Sequence, residues 1–475
     1  MPATKGSNRW AAIDMLSDDV LLEIFKIHLE EQTHFFSSRI PIGDDLWFTL
    51  VHVCHRWQCL VFASPRSLGL KLLCTSTRPV KKMVDAWPPA LPIIIRAPSP
   101  WRGSAENIIA ALDQHDRVSK IVFGCIPNSL FAEFAAMKRP FPELTTLLLW
   151  TIDPHAPVLP ESFLDGSARR LKKLQLYRIK FPTLPKLVLT ATDLIQLDLD
   201  IPVHGYILPE EMATSLATLK RLKFLSLTIR SPVSQADGTS RHPPSLTPVV
   251  LPALIYLYFH GDSNYLEVIV SGIDAPTLRC ATLSFLQPVF DTPLLRRFIS
   301  RTVASKLPQR AKIFFDGRQA QVDEVSVTLR RQKSTGVETT FDLQFKCTPR
   351  GLSPLIRLCS SSLPPLSSFE YLEVYQDRGF NAGEMENAQW LEFFRSFSSV
   401  KDLAIPCKKM IRLVAPALVE LAGKNRTDVF PVLQNLFLDL RDLGPVRETI
   451  DQFIAMRKLS GRPVVVHRAT YFPFG

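Results

Sequence analysis

The chain is expected to fold as α/β: a short all-α module at the N-terminus, then an irregular solenoid of stacked repeats whose strands form one parallel, concave sheet. Three observations lead there. Residues 13–29 and 46–65 carry apolar side chains at helical spacing. A phrase of the form Leu-x-x-Leu-x-Leu recurs along the rest of the chain. Proline is twice as common as glycine, 38 against 19, the reverse of ordinary usage. Proline ends helices and strands, so this excess favours many short elements over a long helical bundle.

The first helix follows from residues 13–29, IDMLSDDVLLEIFKIHL. Ser17 can cap its start, and Asp18 and Asp19 sit in the first turn, where acids suit the helix dipole. Val20, Leu21, Ile24, Phe25 and Ile27 then form a stripe wide enough to bury more than one face. The polar and aromatic stretch 30–45 reads as a loop. A second helix is expected from Leu46 to Pro65, with Leu50, Val53, Cys54, Trp57 and Val61 along one side and Pro65 as its stop.

These residues resemble the F-box, a helical module that opens with a Leu-Pro pair and a helix of the form E-x-x-x-x-I-F-x-x-L and closes on V-C-x-x-W. The counterparts here are Leu16-Ser17, Leu21-Leu22-Glu23-Ile24-Phe25 with Leu29, and Val53-Cys54-His55-Arg56-Trp57. Two departures stand out: Ser17 replaces the usual proline, and the segment between the helices is longer than usual. The resemblance implies docking on the small Skp-type adaptor of a cullin ubiquitin ligase through Leu16, Ser17, Leu21, Ile24, Phe25, Val53, Cys54 and Trp57. A helical module at 13–80 follows a flexible stretch at 1–12.

The repeated phrase runs LTTLLL (144–149), LKKLQL (171–176), LIQLDL (194–199), LKFLSL (222–227), LIYLYF (254–259), FEYLEV (369–374), VKDLAI (400–405) and LQNLFL (433–438). VSKIVF (118–123) and LRCATL (278–283) are looser copies, and 91–97 and 461–469 add strand-like segments. Three apolar residues point inward from one short strand and its entry turn, and the residues between them point outward. No copy can bury its apolar side alone, so neighbours must stack. Phrase and spacing resemble leucine-rich repeats. The expected array covers 88–475, with flexible insertions near 231–248 and 330–340. Residues 310–347 alternate like strands without matching the phrase, as irregular repeats or a β-rich interruption. An F-box followed by such repeats resembles the divergent F-box proteins of mushroom-type fungi.

In this arrangement the outward residues line the concave face. They include Trp150, Tyr177, Phe224, Tyr256, Tyr258, Tyr371, Tyr375 and Phe437, beside polar or charged Gln175, Asp198, Asp200, Glu373, Asp402, Asp439, Lys173 and Arg230. Aromatics at solvent-facing positions mark protein-binding surfaces, so a protein substrate is the expected partner here.

Composition narrows the remaining classes. With 475 residues, 46% hydrophobic and 21% charged, the chain is not disordered as a whole and can bury a core without disulfide or metal staples. The net charge of +11 is spread thinly, with no run of five basic residues, which disfavours nucleic acid as a partner. Eight dispersed cysteines with no C-x-x-C read as reduced thiols in a cytoplasmic or nuclear protein. No apolar stretch of ~18 residues is present, so no membrane span is expected. His52, Cys54, His55 and Cys59 are compact enough to tempt a metal reading, but no second ligand pair accompanies them, and all four lie within the expected second helix, where Cys54 is part of V-C-x-x-W. Phosphate-binding, nucleophile-elbow and zinc-protease motifs are missing. No catalytic residue, metal or cofactor is therefore assigned, and the chain is expected to be a non-catalytic receptor subunit.

Overall fold

The structure, a computed structural model, describes residues 12–35, 47–65, 67–97, 99–153, 158–166, 169–181, 186–230, 248–285, 292–303, 310–316, 324–332, 339–347, 369–376, 387–423, 430–439, 444 and 446–468. The chain divides into two compact units, residues 1–174 and 175–475.

The first unit opens with α1 (Asp18–Phe35), α2 (Trp47–Val51) and α3 (His55–Ala63). Two sequence expectations need correction. Helix α1 runs to Phe35, so the first part of the expected 30–45 loop is helical. The expected helix 46–65 is two helices, because Cys54 is extended (φ −160°, ψ 166°) and starts α3 instead of continuing α2. The break frees each half to choose its own buried face: Trp47, Leu50 and Val51 on α2, Val61 on α3. Val53 and Cys54 lie in the break and are exposed.

Next come β1 (Leu72–Thr75), α4 (Val80–Ala86), β2 (Ile93–Ala97), α5 (Ala105–Leu112), β3 (Val118–Gly124), α6 (Asn128–Ala136) and β4 (Thr146–Trp150). These four strands pair in parallel, in sequence order. The repeat sheet therefore begins at Leu72, not at 88, inside the segment expected to be purely helical. Strand β5 (Lys173–Tyr177) spans the point where the first unit ends.

The second unit contains α7 (Lys186–Thr190), β6 (Gln196–Ile201), α8 (Pro209–Thr218), β7 (Phe224–Ile229), β8 (Val249–Val250), β9 (Tyr256–Gly261), α9 (Ser263–Gly272), β10 (Ile273–Asp274), β11 (Cys280–Phe285) and α10 (Pro293–Val303). Strands β6, β7, β9 and β11 are parallel neighbours, and the short β8 and β10 pair with each other. Then β12 (Arg310–Asp316), β13 (Glu324–Gln332) and β14 (Thr339–Cys347) form an antiparallel meander: the expected 310–347 irregularity is a β-rich interruption. Strand β14 lies parallel beside β11, and β12 lies parallel beside β15 (Tyr371–Gln376). Residues 330–332 and 339–340 of the expected insertion belong to these strands; 333–338, like 1–11 and 231–247, lie outside the described residues. The repeats resume with α11 (Asn387–Arg395), β16 (Asp402–Ile405), α12 (Lys408–Gly423), β17 (Asn435–Leu438), α13 (Val446–Leu459) and β18 (Val465–Arg468), with β15 to β18 parallel in order.

The phrase has the same physical meaning in each copy. Leu144, Leu147 and Leu149 are fully buried, as are Leu194, Leu197 and Leu199 and Val400, Leu403 and Ile405. The first apolar residue closes a turn. The N–H of Leu144 donates to Phe141 O, that of Leu254 to Leu251 O, Leu278 to Ala275 O and Leu433 to Phe430 O. In these four turns proline holds the second position (Pro142, Pro252, Pro276, Pro431), where its fixed φ is already right. One carbonyl at each strand entry then accepts two N–H groups of the next repeat: Ile195 O from Lys223 and Phe224, Lys223 O from Ile255 and Tyr256, Ile255 O from Arg279 and Cys280, Lys401 O from Gln434 and Asn435.

Helix ends are satisfied locally or by the next repeat. Ser104 caps α5 by accepting from Glu106 N at 3.1 Å, and Asp262 caps α9 through Asn264 N at 2.9 Å. The buried carboxylate of Glu267 on α9 reaches the start of α10, where its two oxygens accept from Leu294 N (2.9 Å) and Leu295 N (2.6 Å). Charge-assisted bonds of this kind contribute most where water is excluded. Replacing Glu267 with Ala leaves both donors unmet and is expected to destabilise the protein by about 2–3 kcal/mol. Urea denaturation checks this, and an unchanged midpoint would mean that α10 does not depend on the cross-repeat cap.

Candidate functional site

Two surfaces carry the residues that the sequence singled out, one in each unit. In the first unit, helix α1 has two unlike faces. Leu21 and Phe25 are buried inside the chain, and the Phe25 ring meets Trp57 of α3 at 4.6 Å between centroids. Arg56 ties the same two helices: its Nη2 donates to Asp18 Oδ1 at 2.7 Å and to Leu16 O at 2.5 Å. Leu21, Phe25 and Trp57 thus hold the module together and, contrary to the sequence assignment, Leu21 and Phe25 are not free for a partner. The adjoining face of α1 presents Val20 (45% exposed), Ile24 (41%) and Ile27 (49%), spaced four and three residues apart. Met15 (81%) and Val53 (58%) are also exposed, Ser17 and Cys54 lie at the surface, and Leu16 is half-buried. Ile24 and Val53, both named from the sequence, are exposed, Val53 in the break between α2 and α3. Val20 and Ile27 were visible only as part of one wide stripe, because periodicity alone does not say which edge of a stripe is covered.

The module is anchored to the repeats of its own unit. Trp47 is buried; its indole N–H donates to Lys71 O at 2.9 Å, and its ring meets Trp87, just after α4, at 5.2 Å. Phe62 of α3 approaches the Trp87 ring at 5.3 Å. Edge-on aromatic contacts of this geometry contribute beyond their area, so α2 and α3 are fixed against the start of the sheet.

In the second unit, the residues between the buried leucines of β6, β7 and β9 share one face. The register sets Phe224 beside Tyr256, Asp198 in line with Ser226 and Tyr258, and Asp200 in line with Thr228 and His260. Phe224 and Tyr256 are exposed and stacked, 5.8 Å between centroids and 28° between planes. Tyr258 is also exposed. Tyr177 is half-buried; its hydroxyl donates to Asp198 Oδ2 at 2.5 Å and accepts from Gln175 Nε2 at 3.0 Å. Burial, and then the Asp198 carboxylate, push the Tyr177 phenol well above its ordinary value, so it stays a donor. His260 Nδ1 lies 2.8 Å from Ser284 Oγ.

The other expected aromatics differ. Trp150 is half-buried and its indole lies against Gly124 of β3, where a Cβ would sit 1.9 Å from Nε1. Tyr371, expected to face a partner, is 8% exposed, which removes it from any open surface. Tyr375 and Phe437 are half-buried, the latter stacked on His467 at 4.8 Å. Of the compact His/Cys group, Cys59 Sγ lies 3.7 Å from the His55 ring, and among the described residues no three His, Cys, Asp or Glu side chains are placed to hold a metal. No helix among the described residues is long and apolar enough to cross a membrane.

No family model matches the chain, and no curated protein matches it. Among solved structures, the chain is similar to a leucine-rich-repeat protein of Leptospira interrogans, with 13% identity over 86% of this chain and 98% of that one and a TM-score of 0.27.

Two tyrosine hydroxyls make opposite predictions. The Tyr265 hydroxyl is buried without a partner among the described residues, whereas that of Tyr177 bridges two side chains. Tyr177→Phe is expected to lower stability by about 1–2 kcal/mol, and Tyr265→Phe to leave it unchanged or raise it slightly. Burial raises both phenols. Their contribution is therefore whole below the unfolded value of about 10 and declines as pH rises above it, because the unfolded chain releases its protons first. Denaturation of the two variants at neutral and at alkaline pH measures both effects.

Proposed function

We propose that the chain is the substrate-receptor subunit of a Skp–cullin–F-box type ubiquitin ligase. The N-terminal helices dock the Skp-type adaptor, and through it the cullin. The outward strand face of the second unit holds a protein substrate. The chain itself performs no bond chemistry; it raises the local concentration of a substrate lysine near a charged conjugating enzyme. The observation that carries this reading is the Val20–Ile24–Ile27 stripe, left exposed on α1 beside the packed edge formed by Leu21 and Phe25. It falls within the residues that resemble the F-box, and an apolar helix face set at this spacing is the form in which helices meet a partner.

A second reading is supported by the Trp47–Trp87 contact. Helices α2 and α3 pack on the first repeats as a terminal cap does, which suits an interaction scaffold outside any ligase. The exposed α1 stripe favours the first reading, since a cap alone has no use for it.

Co-expression with a Skp-type adaptor, affinity capture and size-exclusion chromatography separate the two. A one-to-one complex is expected. Ile24→Asp, at an exposed position, should weaken capture by about tenfold or more while leaving the melting temperature within a degree or two. A well-folded wild type that captures no adaptor would sink the ligase reading and leave the scaffold.

A further inference from the structure

The face of β6, β7 and β9 has a relief that points to the chemistry of its ligand. Ser226 and Thr228 of β7 are small and only partly covered. On one side of them stand Asp198 and Asp200 of β6, and on the other stands Tyr258 of β9, in register with Ser226 and Asp198. The carboxylates and the tyrosine are two strand spacings apart, about 9.6 Å. The result is a trough with an acidic wall and an aromatic wall, and the exposed Phe224–Tyr256 stack lies at its strand-entry end.

The acidic wall is held in place. Tyr177 and Gln175 both engage Oδ2 of Asp198, and its Oδ1 has no hydrogen-bond partner among the described residues. Asp200 is met only loosely, by Arg178 Nε at 3.9 Å, a pair whose arginine side chain is 51% exposed. Oδ1 of Asp200 is buried and has no hydrogen-bond partner among the described residues. A planar cation is complementary to this arrangement. A guanidinium can lay its flat face on an exposed tyrosine ring while its edge donates to a carboxylate, a combination that a lysine ammonium cannot reproduce.

We propose that this trough takes an arginine side chain from an extended, basic segment of the protein substrate, with Asp198 as the acceptor and Tyr258 as the stacking face. This rests on the reading that the strand face binds a protein, but not on the adaptor. The chain's own charge sharpens the test. At +11 it attracts acidic peptides non-specifically, so a preference for a basic one has to come from a local site.

The experiment uses the full chain and fluorescein-labelled peptides that repeat Gly-Ser-Arg, Gly-Ser-Lys or Gly-Ser-Glu, read by fluorescence polarisation. The arginine peptide is expected to bind tightest, and Asp198→Asn or Tyr258→Ala to weaken it by about tenfold. Ser226→Arg, which places a competing cation in the trough, should do the same. It also guards against Asp198→Asn acting by loosening the fold, which thermal melting of each variant checks. Equal binding of the arginine and lysine peptides, tighter binding of the glutamate peptide, or variants that bind arginine as the wild type does would each overturn the proposal. Adaptor capture is measured on the same samples. Capture without an arginine preference removes this proposal and leaves the receptor reading, whereas an arginine preference without capture does the reverse.

Discussion

A strand that offers three apolar side chains on one face has nothing of its own to bury them against, and that constraint organises the sheet in both units. The phrase residues reach full burial because the next copy lies alongside, and the strand-entry carbonyls hold two N–H groups of that neighbour. The exposed pairs Asp113–Arg139, Glu143–Arg170, Asp193–Arg221 and Glu370–Lys401 repeat the same step between copies at the surface. Each such pair contributes little by itself. Their recurrence shows how regular the step is; the leucines supply the energy.

What could be read beforehand follows from this. The phrase was readable because burial repeats with a fixed grammar, and the buried triplets fall on the residues that the pattern named, from Val118, Ile121 and Phe123 to Leu433, Leu436 and Leu438. The start of the sheet was hidden because β1 reads LLCT, too short and too uniformly apolar to show a period. The break at Cys54 was hidden because apolar residues continue at helical spacing on both sides of it, and a change of backbone direction leaves no mark on such a pattern. The binding surfaces were half readable. Alternation along a strand located Phe224, Tyr256 and Tyr258 on the outer face. It could not reveal that Tyr371 is enclosed, since enclosure comes from residues distant in sequence.

The two candidate surfaces use apolar and polar groups in different ways. On α1 the exposed residues are aliphatic and carry no acceptor, so affinity there depends on area and on shape. On β6 to β9 the aromatics stand beside Asp198, which Tyr177 orients, and this makes selection between ligands a matter of charge and planarity. The Tyr177 phenol, raised mainly by burial, stays protonated at neutral pH and keeps this orientation.

The meander β12–β14 has a further consequence. It enters the sheet as three strands in reversed chain order, with β14 beside β11 and β12 beside β15, both parallel. Because antiparallel neighbours alternate in direction, an odd number of them restores the original polarity. An insertion of two or four strands would either give β15 an antiparallel neighbour or reverse β15 and every strand after it, and helices kept on the same face would then have to cross on the left hand, which parallel connections almost never do. Growth at this point is therefore governed by parity: the interruption can lose or gain strands only in pairs, whatever its sequence, if both its junctions with the flanking repeats are to stay parallel.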